Sequence, residues 1–453
     1  MTRPTRGAPG VRRAKKKVAL VSLGCAKNLV DSEVMLGVLK KAGYGFVPRP
    51  EEADIIIINT CGFIGPAREE AEEAIASVLG LKRADPGKTV VAAGCYVERD
   101  SAGLRAKFPE VDAWTGVRSF DEIAAIVEGR PKSGADRTFL YSDSSPRLVS
   151  TPGTWAYVKI SEGCSHRCGF CAIPSIKGPY ISRSAASIVR EARTLAGLGV
   201  KEIDLISHDT TWFGRDRGLR NGLAGLLERL ARVPGLEWIR FLYGYPEEIT
   251  GPLLDVMAGP KICRYFDIPF QHADPVLLRA MKRGLDATRA SRLIDRIRSR
   301  LPGAAIRTSL IVGFPGEGKK EFAALKRFIQ EARFDHLGVF AYSPEKGTAA
   351  CALPETVSGE EKEDRRREIM ILQAEISLAH NRSRVGQAID VIIEGPEPST
   401  PGLWTGRGRF QAPEVDGVVH FTLPPGLTEP PSPLVTVRIE SADAYDLAGR
   451  LIP

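Results

Sequence analysis

Three cysteines stand at CxxxCxxC spacing in the stretch Ser161–Cys171 (SEGCSHRCGFC): Cys164, Cys168 and Cys171. They follow the run WAYVKI, Trp155–Ile160, which predicts a strand with the cysteines on the loop that leaves it. Soft thiolates brought to one point on one short loop suit zinc or an iron–sulfur cluster. A closed zinc site takes a fourth ligand, usually from a second Cys or His pair, and no such pair follows. An ordinary 4Fe–4S cluster takes four cysteines, so three leave one iron open to a small molecule. His166, inside the loop, is the other candidate for a fourth ligand. The bland alternative is three buried thiols that hold no metal.

A second set of cysteines is spread along the first hundred residues. The runs VALVSL (Val18–Leu23), DIIII (Asp54–Ile58) and TVVAA (Thr89–Ala93) predict strands, with helical patterns between them. That alternation argues for a parallel sheet covered by helices. A cysteine follows each strand within a few residues: Cys25, Cys61 and Cys95. Parallel strands end on a common edge where ligands bind, so these three are expected to meet in space. One such cysteine alone is more often a small buried apolar residue; three at the same strand position are not explained that way.

The elements that position these groups divide the 453 residues as follows. Residues 1–16 form a basic tail, expected to be disordered; 17–131 form the N-terminal α/β domain and 132–153 a Ser/Asp/Pro/Gly-rich linker. Residues 154–384 continue the strand–helix alternation, with strands at Glu202–Ile206, Trp238–Leu242, Tyr265–Ile268, Ala305–Val312 and Leu337–Tyr342. Glu360–Arg384 reads as a charged helix with Ile369, Leu372, Ile376 and Ala379 inward and a solvated charged face. Residues 385–453 switch to short strands (Ala388–Ile393, Leu403–Arg409, Gly417–Phe421, Leu434–Ile439) with Gly/Pro turns, a small antiparallel β-barrel. The hydrophobic fraction of 43% and charged fraction of 26% are those of a globular protein. No apolar run reaches the roughly 18 residues of a membrane helix, and no secretory signal opens the chain. Eight cysteines in such a length read as metal ligands in a reducing compartment, the cytoplasm.

The triad of Cys164, Cys168 and Cys171, with Phe170 before the third cysteine, resembles the radical S-adenosylmethionine superfamily. The resemblance implies a partial (β/α)6 barrel. It implies that S-adenosylmethionine binds the open iron and is cleaved to a 5′-deoxyadenosyl radical, with Phe170 near the adenine. Glu202 is the candidate contact to the methionyl amino group. Gly313 and Gly316, in GFPGE after a strand, are candidates to approach the cofactor. Gln271 and His272 at a strand end are either substrate contacts or loop residues, and Cys263 and Cys351 read as structural. SLGCAKNLVDSE (Ser22–Glu33), NTCGFI (Asn59–Ile64) and AGCY (Ala93–Tyr96) are similar to the N-terminal domain of the methylthiotransferases. There three cysteines, here Cys25, Cys61 and Cys95 by position, hold a second 4Fe–4S cluster that carries the transferred sulfur. The last barrel resembles the TRAM domain that ends those enzymes. In that family one S-adenosylmethionine methylates the sulfur and another supplies the radical. For a carbon without an acidic proton no side-chain base would suffice, which accounts for the absence of an obvious acid–base pair.

Some of the family act on adenosine in tRNA, others on an aspartate β-carbon of small-subunit ribosomal protein twelve. KNLVDSE, KISEGCSHRC, DGVV and DAYDL are most similar to the second group. Its members imply an electron donor such as flavodoxin or ferredoxin. Charge points the same way. Of the net +8, residues 1–17 carry seven (Arg3, Arg6, Arg12, Arg13, Lys15, Lys16, Lys17). Residues 381–453 hold six Arg or Lys against nine acids, a poor match to phosphates and a good one to a basic protein. tRNA is therefore not expected as substrate, although Arg407 and Arg409 alternate on one strand and could form a local basic patch. The basic tail could touch ribosomal RNA, or be solvated without a role. The remaining alternatives are a tRNA adenosine methylthiotransferase and a non-catalytic iron–sulfur or zinc protein that binds RNA.

Overall fold

The computed structural model describes residues 16–130 and 138–452. The basic tail, save Lys16, and the start of the linker lie outside them. The described chain forms two compact units.

The first unit is an all-parallel sheet. Its elements are β1 (Lys17–Ser22), α1 (Ala26–Lys41), β2 (Gly45–Phe46), β3 (Ile55–Thr60), α2 (Gly65–Ala84), β4 (Thr89–Gly94), α3 (Cys95–Arg99), α4 (Ser101–Lys107), β5 (Ala113–Thr115) and α5 (Ile123–Val127). The strand order is β2-β1-β3-β4-β5. Four successive isoleucines make β3 buried along its whole length, as a central parallel strand covered on both faces requires. Helix α2 buries Ala71, Ile75, Val78 and Leu79, an i, i+4, i+7, i+8 stripe. It leaves Glu69, Glu70 and Glu73 to solvent, while Glu72 accepts from Tyr96 Oη at 2.6 Å. The short strands β2 and β5 escape a reading of apolar runs.

The second unit carries the barrel. It contains β6 (Trp155–Lys159), β7 (Ser161–Glu162), α6 (Ile173–Lys177), β8 (Ile181–Ser182), α7 (Ala185–Gly197), β9 (Glu202–Ile206), α8 (Gly222–Ala231), β10 (Trp238–Phe241), α9 (Gly251–Met257), β11 (Tyr265–Asp267), α10 (Pro275–Ala280), α11 (Ala287–Arg300), β12 (Ala305–Val312), α12 (Lys319–Ala332), β13 (His336–Ala341) and α13 (Gly359–Arg382). Strands β6, β9 and β10 pair in parallel, as do β11, β12 and β13. A parallel bridge between Ile239 and Ile262 joins the two halves. The result is the expected arc of six parallel strands, and one core packs its outer face against the helices through Leu205, Phe241, Leu227, Ile297 and Ile329. In α13 the charge run is not simply a solvated face. Lys362 and Arg365 are buried, Arg365 on Glu317 at 2.7 Å and Lys362 on Glu355. Ala379, expected inward, is exposed; Gln373 and Ser377 turn in instead, donating to Phe334 O and Asp335 O.

The same unit ends in a closed barrel of β14 (Ala388–Pro396), β15 (Leu403–Gly408), β16 (Val419–Thr422), β17 (Leu434–Ala442) and β18 (Leu447–Ile452), in the order β14-β15-β16-β18-β17. Strand β18 is an addition to the four expected, and its pairing with β16 is parallel.

This small barrel docks at the strand starts of the large one. Arg407 Nη2 donates to Glu202 Oε2 at 2.8 Å. Arg240 donates to Glu202 Oε1 from Nε and Nη2 at 3.0 and 2.9 Å. Arg407, Arg240, Glu202 and Asp204 are all fully buried. Burial works to raise the Glu202 carboxyl, but the Arg407 and Arg240 guanidiniums outweigh it and hold it below the ordinary value. Asp204, buried beside the Glu202 charge, is pushed well above it. Tyr157 donates to Glu414 Oε2 at 3.0 Å and Tyr265 to Asp416 Oδ2 at 2.6 Å. Removing one partner of a buried pair strands the other, so Arg407→Leu is expected to destabilise this unit by about 3–5 kcal/mol. Urea unfolding followed by tryptophan fluorescence measures it; an unchanged midpoint would show the pair to be dispensable.

Candidate metal centres

In the first unit the three cysteines lie on one sheet edge. Cys25 precedes α1, Cys61 follows β3, and Cys95 follows β4 as the first residue of α3. The loops approach closely, Gly24 against the Cys61 side chain and Gly62 against the backbone of Cys95 and Tyr96. Gly24 has φ +90°, and a Cβ on it would lie 2.8 Å from Cys61 Cβ and 3.0 Å from its Sγ. A Cβ on Gly62 would lie 2.7 Å from Tyr96 Cα. Only glycine fits at contacts this close. Cys25 is exposed, Cys61 half-buried and Cys95 buried, so the edge is open on one side. This gathering is what a cluster of several irons asks of its donors.

In the second unit Cys164, Cys168 and Cys171 sit on the loop after β6 and β7. That loop is pinned from three sides. Cys164 N–H donates to Gly178 O at 3.0 Å, Gly169 N–H to Met281 O at 2.8 Å, and Ala350 N–H to Gly169 O at 2.7 Å. Burial pushes the Cys164 thiol up to about 11 and the Cys171 thiol up to about 12. Such thiols keep their protons until a metal displaces them. The buried Arg283 places Nη1 3.8 Å from Cys168 Sγ and donates from Nη2 to Pro269 O at 2.7 Å; its guanidinium lies 4.0 Å from the Tyr245 ring centre.

His166 is otherwise engaged. Its Nε2 lies 2.5 Å from Asp209 Oδ2, and its ring stacks on Tyr245 at 3.9 Å. Asp209 Oδ1 accepts from Thr211 N and Trp212 N at 2.9 and 3.1 Å. Asp209 thus ties the cysteine loop to the segment after β9, a role that sequence reasoning missed. Its position just past a strand end was the available signal. Among the described residues no three His, Cys, Asp or Glu side chains converge at single-ion distances. The thiols therefore do not meet at one point, as first expected. A multi-iron cluster presents its irons at separate corners, so a donor set of three cysteines per site still fits one.

The other expected residues divide. Phe170 packs, half-buried, against a cluster that includes Leu277, Met281, Phe314 and Tyr342, so it shares apolar contacts with Phe314 of the segment Gly313–Gly316. At Gly313 the place of a Cβ is taken by the stem of Lys362, Cγ being 2.2 Å away; the approach is made by the chain itself. Gly316 N–H donates to Thr356 Oγ1 at 3.0 Å. Glu202 is not at this edge. It starts β9, opposite Trp155 at the start of β6, while the cysteines follow the end of β6. Its two arginines occupy it there. His272 is buried, accepts at Nδ1 from Asp274 N at 2.9 Å and faces Glu317 at 3.5 Å, and Gln271 N–H bonds Ser309 O at 2.9 Å. Cys263 is buried and Cys351 exposed.

Three family models match the chain: the uncharacterized protein family UPF0004 over residues 17–116, the radical SAM superfamily over 158–329 and the TRAM domain over 385–452. Curated relatives match nearly end to end. The ribosomal protein uS12 methylthiotransferase RimO of Solibacter usitatus is 44% identical over 440 residues, covering 96% of this chain and 95% of that one. The protein of the same name from Aquifex aeolicus is 45% identical over 435 residues, covering 96% and 97%. Among solved structures, the radical S-adenosylmethionine methyltransferase TsrM from Kitasatospora setae, with cobalamin and a [4Fe-4S] cluster bound, superposes with a TM-score of 0.54. It is 16% identical and covers 86% of this chain and 81% of that one, a likeness of fold.

Two separate sites make a countable prediction. Anaerobically reconstituted chain is expected to hold about eight irons, from two four-iron clusters. Replacing Cys164, Cys168 and Cys171 by Ala should halve that and abolish 5′-deoxyadenosine formation. Replacing Cys25, Cys61 and Cys95 should halve it and leave S-adenosylmethionine cleavage in place. Bound zinc, or loss of all iron from either variant, would overturn the assignment.

Proposed function

The chain belongs to the RimO family of ribosomal protein uS12 methylthiotransferases, and we propose that it adds a methylthio group to the β-carbon of an aspartate in uS12. The observation that carries this is 44% identity to a protein of that name over 96% of the chain, with a cysteine triad in each of two units. Four-iron clusters and S-adenosylmethionine, when bound, supply the electron, the radical and the sulfur for this transfer. The protein supplies position and shielding. Cys164, Cys168 and Cys171 would hold the cluster that reduces S-adenosylmethionine, on a loop clamped by Gly178, Met281 and Ala350. Cys25, Cys61 and Cys95 would hold the sulfur-bearing cluster. Phe170, with Gly313 and Gly316 close by in the fold, would flank the adenosyl group. We assign no cofactor contact to Glu202.

A protein substrate is favoured over tRNA by where the small barrel spends its cations. Arg407 is buried on Glu202, and Arg409 donates to Pro260 O at 2.7 Å and lies over Trp238. Arg407 is thus committed inward, and Arg409, half-buried, is engaged with its own protein, which leaves fewer cations for phosphates. Asp390, Glu429 and Asp443 are exposed and suit a Lys/Arg-rich protein. An electron donor such as flavodoxin or ferredoxin and a place in the cytoplasm belong to the same reading. Among the described residues no helix is long and apolar enough to cross a membrane.

Mass spectrometry of uS12 and of tRNA nucleosides, from cells lacking the native enzymes and expressing this chain, tests the substrate. Methylthio-aspartate in uS12 with unmodified tRNA adenosine is expected; the reverse pattern would end the proposal. Deleting the small barrel would expose the buried charges it covers, so surface variants are the better probe of binding. Asp390→Lys, Glu429→Lys and Asp443→Lys together should slow association with isolated uS12 about tenfold in low salt. Unaltered association would remove the electrostatic argument.

A further inference from the structure

Asn28 lies in the first turn of α1 and is only 2% exposed, an unusual place for a residue that competes with helix formation. Its Nδ2 donates to Leu23 O at 3.1 Å and to Thr60 O at 3.1 Å. Its Oδ1 accepts from Cys95 Sγ at 3.4 Å. These partners are the carbonyl two residues before Cys25, the carbonyl next before Cys61, and Cys95 itself. One side-chain amide therefore spans the ends of β1, β3 and β4. Its orientation is settled by the partners: turned over, the amide oxygen would face two carbonyl oxygens.

The clamp is itself held. Asn28 O accepts from Asn59 Nδ2 at 2.8 Å, and Asn59 Nδ2 also donates to Ser32 Oγ at 2.9 Å. Ser32 Oγ lies 2.8 Å from Ser22 Oγ. Asn59 is wholly buried and its Oδ1 has no hydrogen-bond partner; that oxygen stands 2.3 Å from the place a Cβ on Gly94 would take. A buried polar network of this kind is costly unless its geometry is used. An apolar side chain would fill the same volume without that cost.

We infer that Asn28 is a positioning residue for the metal site of Cys25, Cys61 and Cys95. It sets the spacing of the three loops before metal arrives, so that binding need not order them. The hold on Leu23 and Thr60 is made by Nδ2, so it survives when Cys95 gives up its proton to ligation. The inference rests on the reading that these cysteines hold a cluster.

The test uses the full chain with Asn28→Leu, of similar size without hydrogen bonds, and Asn28→Asp, of the same shape without the two donors. Each is reconstituted anaerobically beside the parent. Both are expected to keep the irons of the Cys164 site and its 5′-deoxyadenosine formation. The second site should release its iron to a chelator about tenfold faster, and its electron paramagnetic resonance signal should change. Far-UV circular dichroism should match the parent. Parent release rates and spectra in both variants would overturn the inference. So would loss of iron only alongside loss of helix, which marks a packing residue. A parent that never exceeds about four irons would instead strike the cluster reading, and would do so before any variant is made.

Discussion

Parallel strands can present side chains from distant parts of a chain at one edge only if their loops approach without obstruction. That steric condition governs the first candidate metal centre, and the second meets its own positional demand differently. At the first, Gly24 and Gly62 leave out the Cβ atoms that would hold the cysteine loops apart. At the second, a single loop carries all three thiols, and hydrogen bonds to Gly178, Met281 and Ala350 keep it in place. The rest of each unit is scaffold for this contact: an isoleucine strand buried on both faces in one, six parallel strands wrapped by helices in the other.

Much of that scaffold was readable from residue patterns, because β-branched runs and turn residues coincide with strand ends. Glu202–Ile206 and Ala305–Val312 occur as expected. Strand β18 was not readable: LAGRLI has one β-branched residue and a glycine, and it is held in place by partners on both sides. Glu202 misled because an acid beside a turn resembles a site residue; yet it opens its strand, and the ligand edge lies at the other end. The glycine of Gly313 was read as room for a ligand, where a lysine stem from a helix some fifty residues later fills the space. Asn28 stood in plain sight within KNLVDSE, but its partners are 5, 32 and 67 residues away, and no local pattern connects them.

The buried charges between the two barrels show a different economy. Four ionised or ionisable groups without solvent are tolerated because each arginine has a carboxylate and spare donors reach backbone carbonyls, as Arg240 Nη1 reaches Arg409 O at 2.9 Å and Arg407 Nη1 reaches Gln411 O at 3.0 Å. Such a set contributes less to stability than to fixing one relative placement. Arg407, one of the two alternating arginines of β15 and the residue after it, is used up in this placement.

The same arginine has a consequence in time. Arg407 follows Glu202 by 205 residues, so a ribosome working at 5–20 residues per second leaves about 10–40 s between them. For that interval the nascent large barrel holds two carboxylates and Arg240 at its strand starts with no lid above them. Water must remain where the finished protein has none, and the last strands made expel it. Completion of this unit therefore waits on synthesis of the small barrel, and a chain stalled before Arg407 exposes an ionic, half-hydrated floor to the cell's proteases.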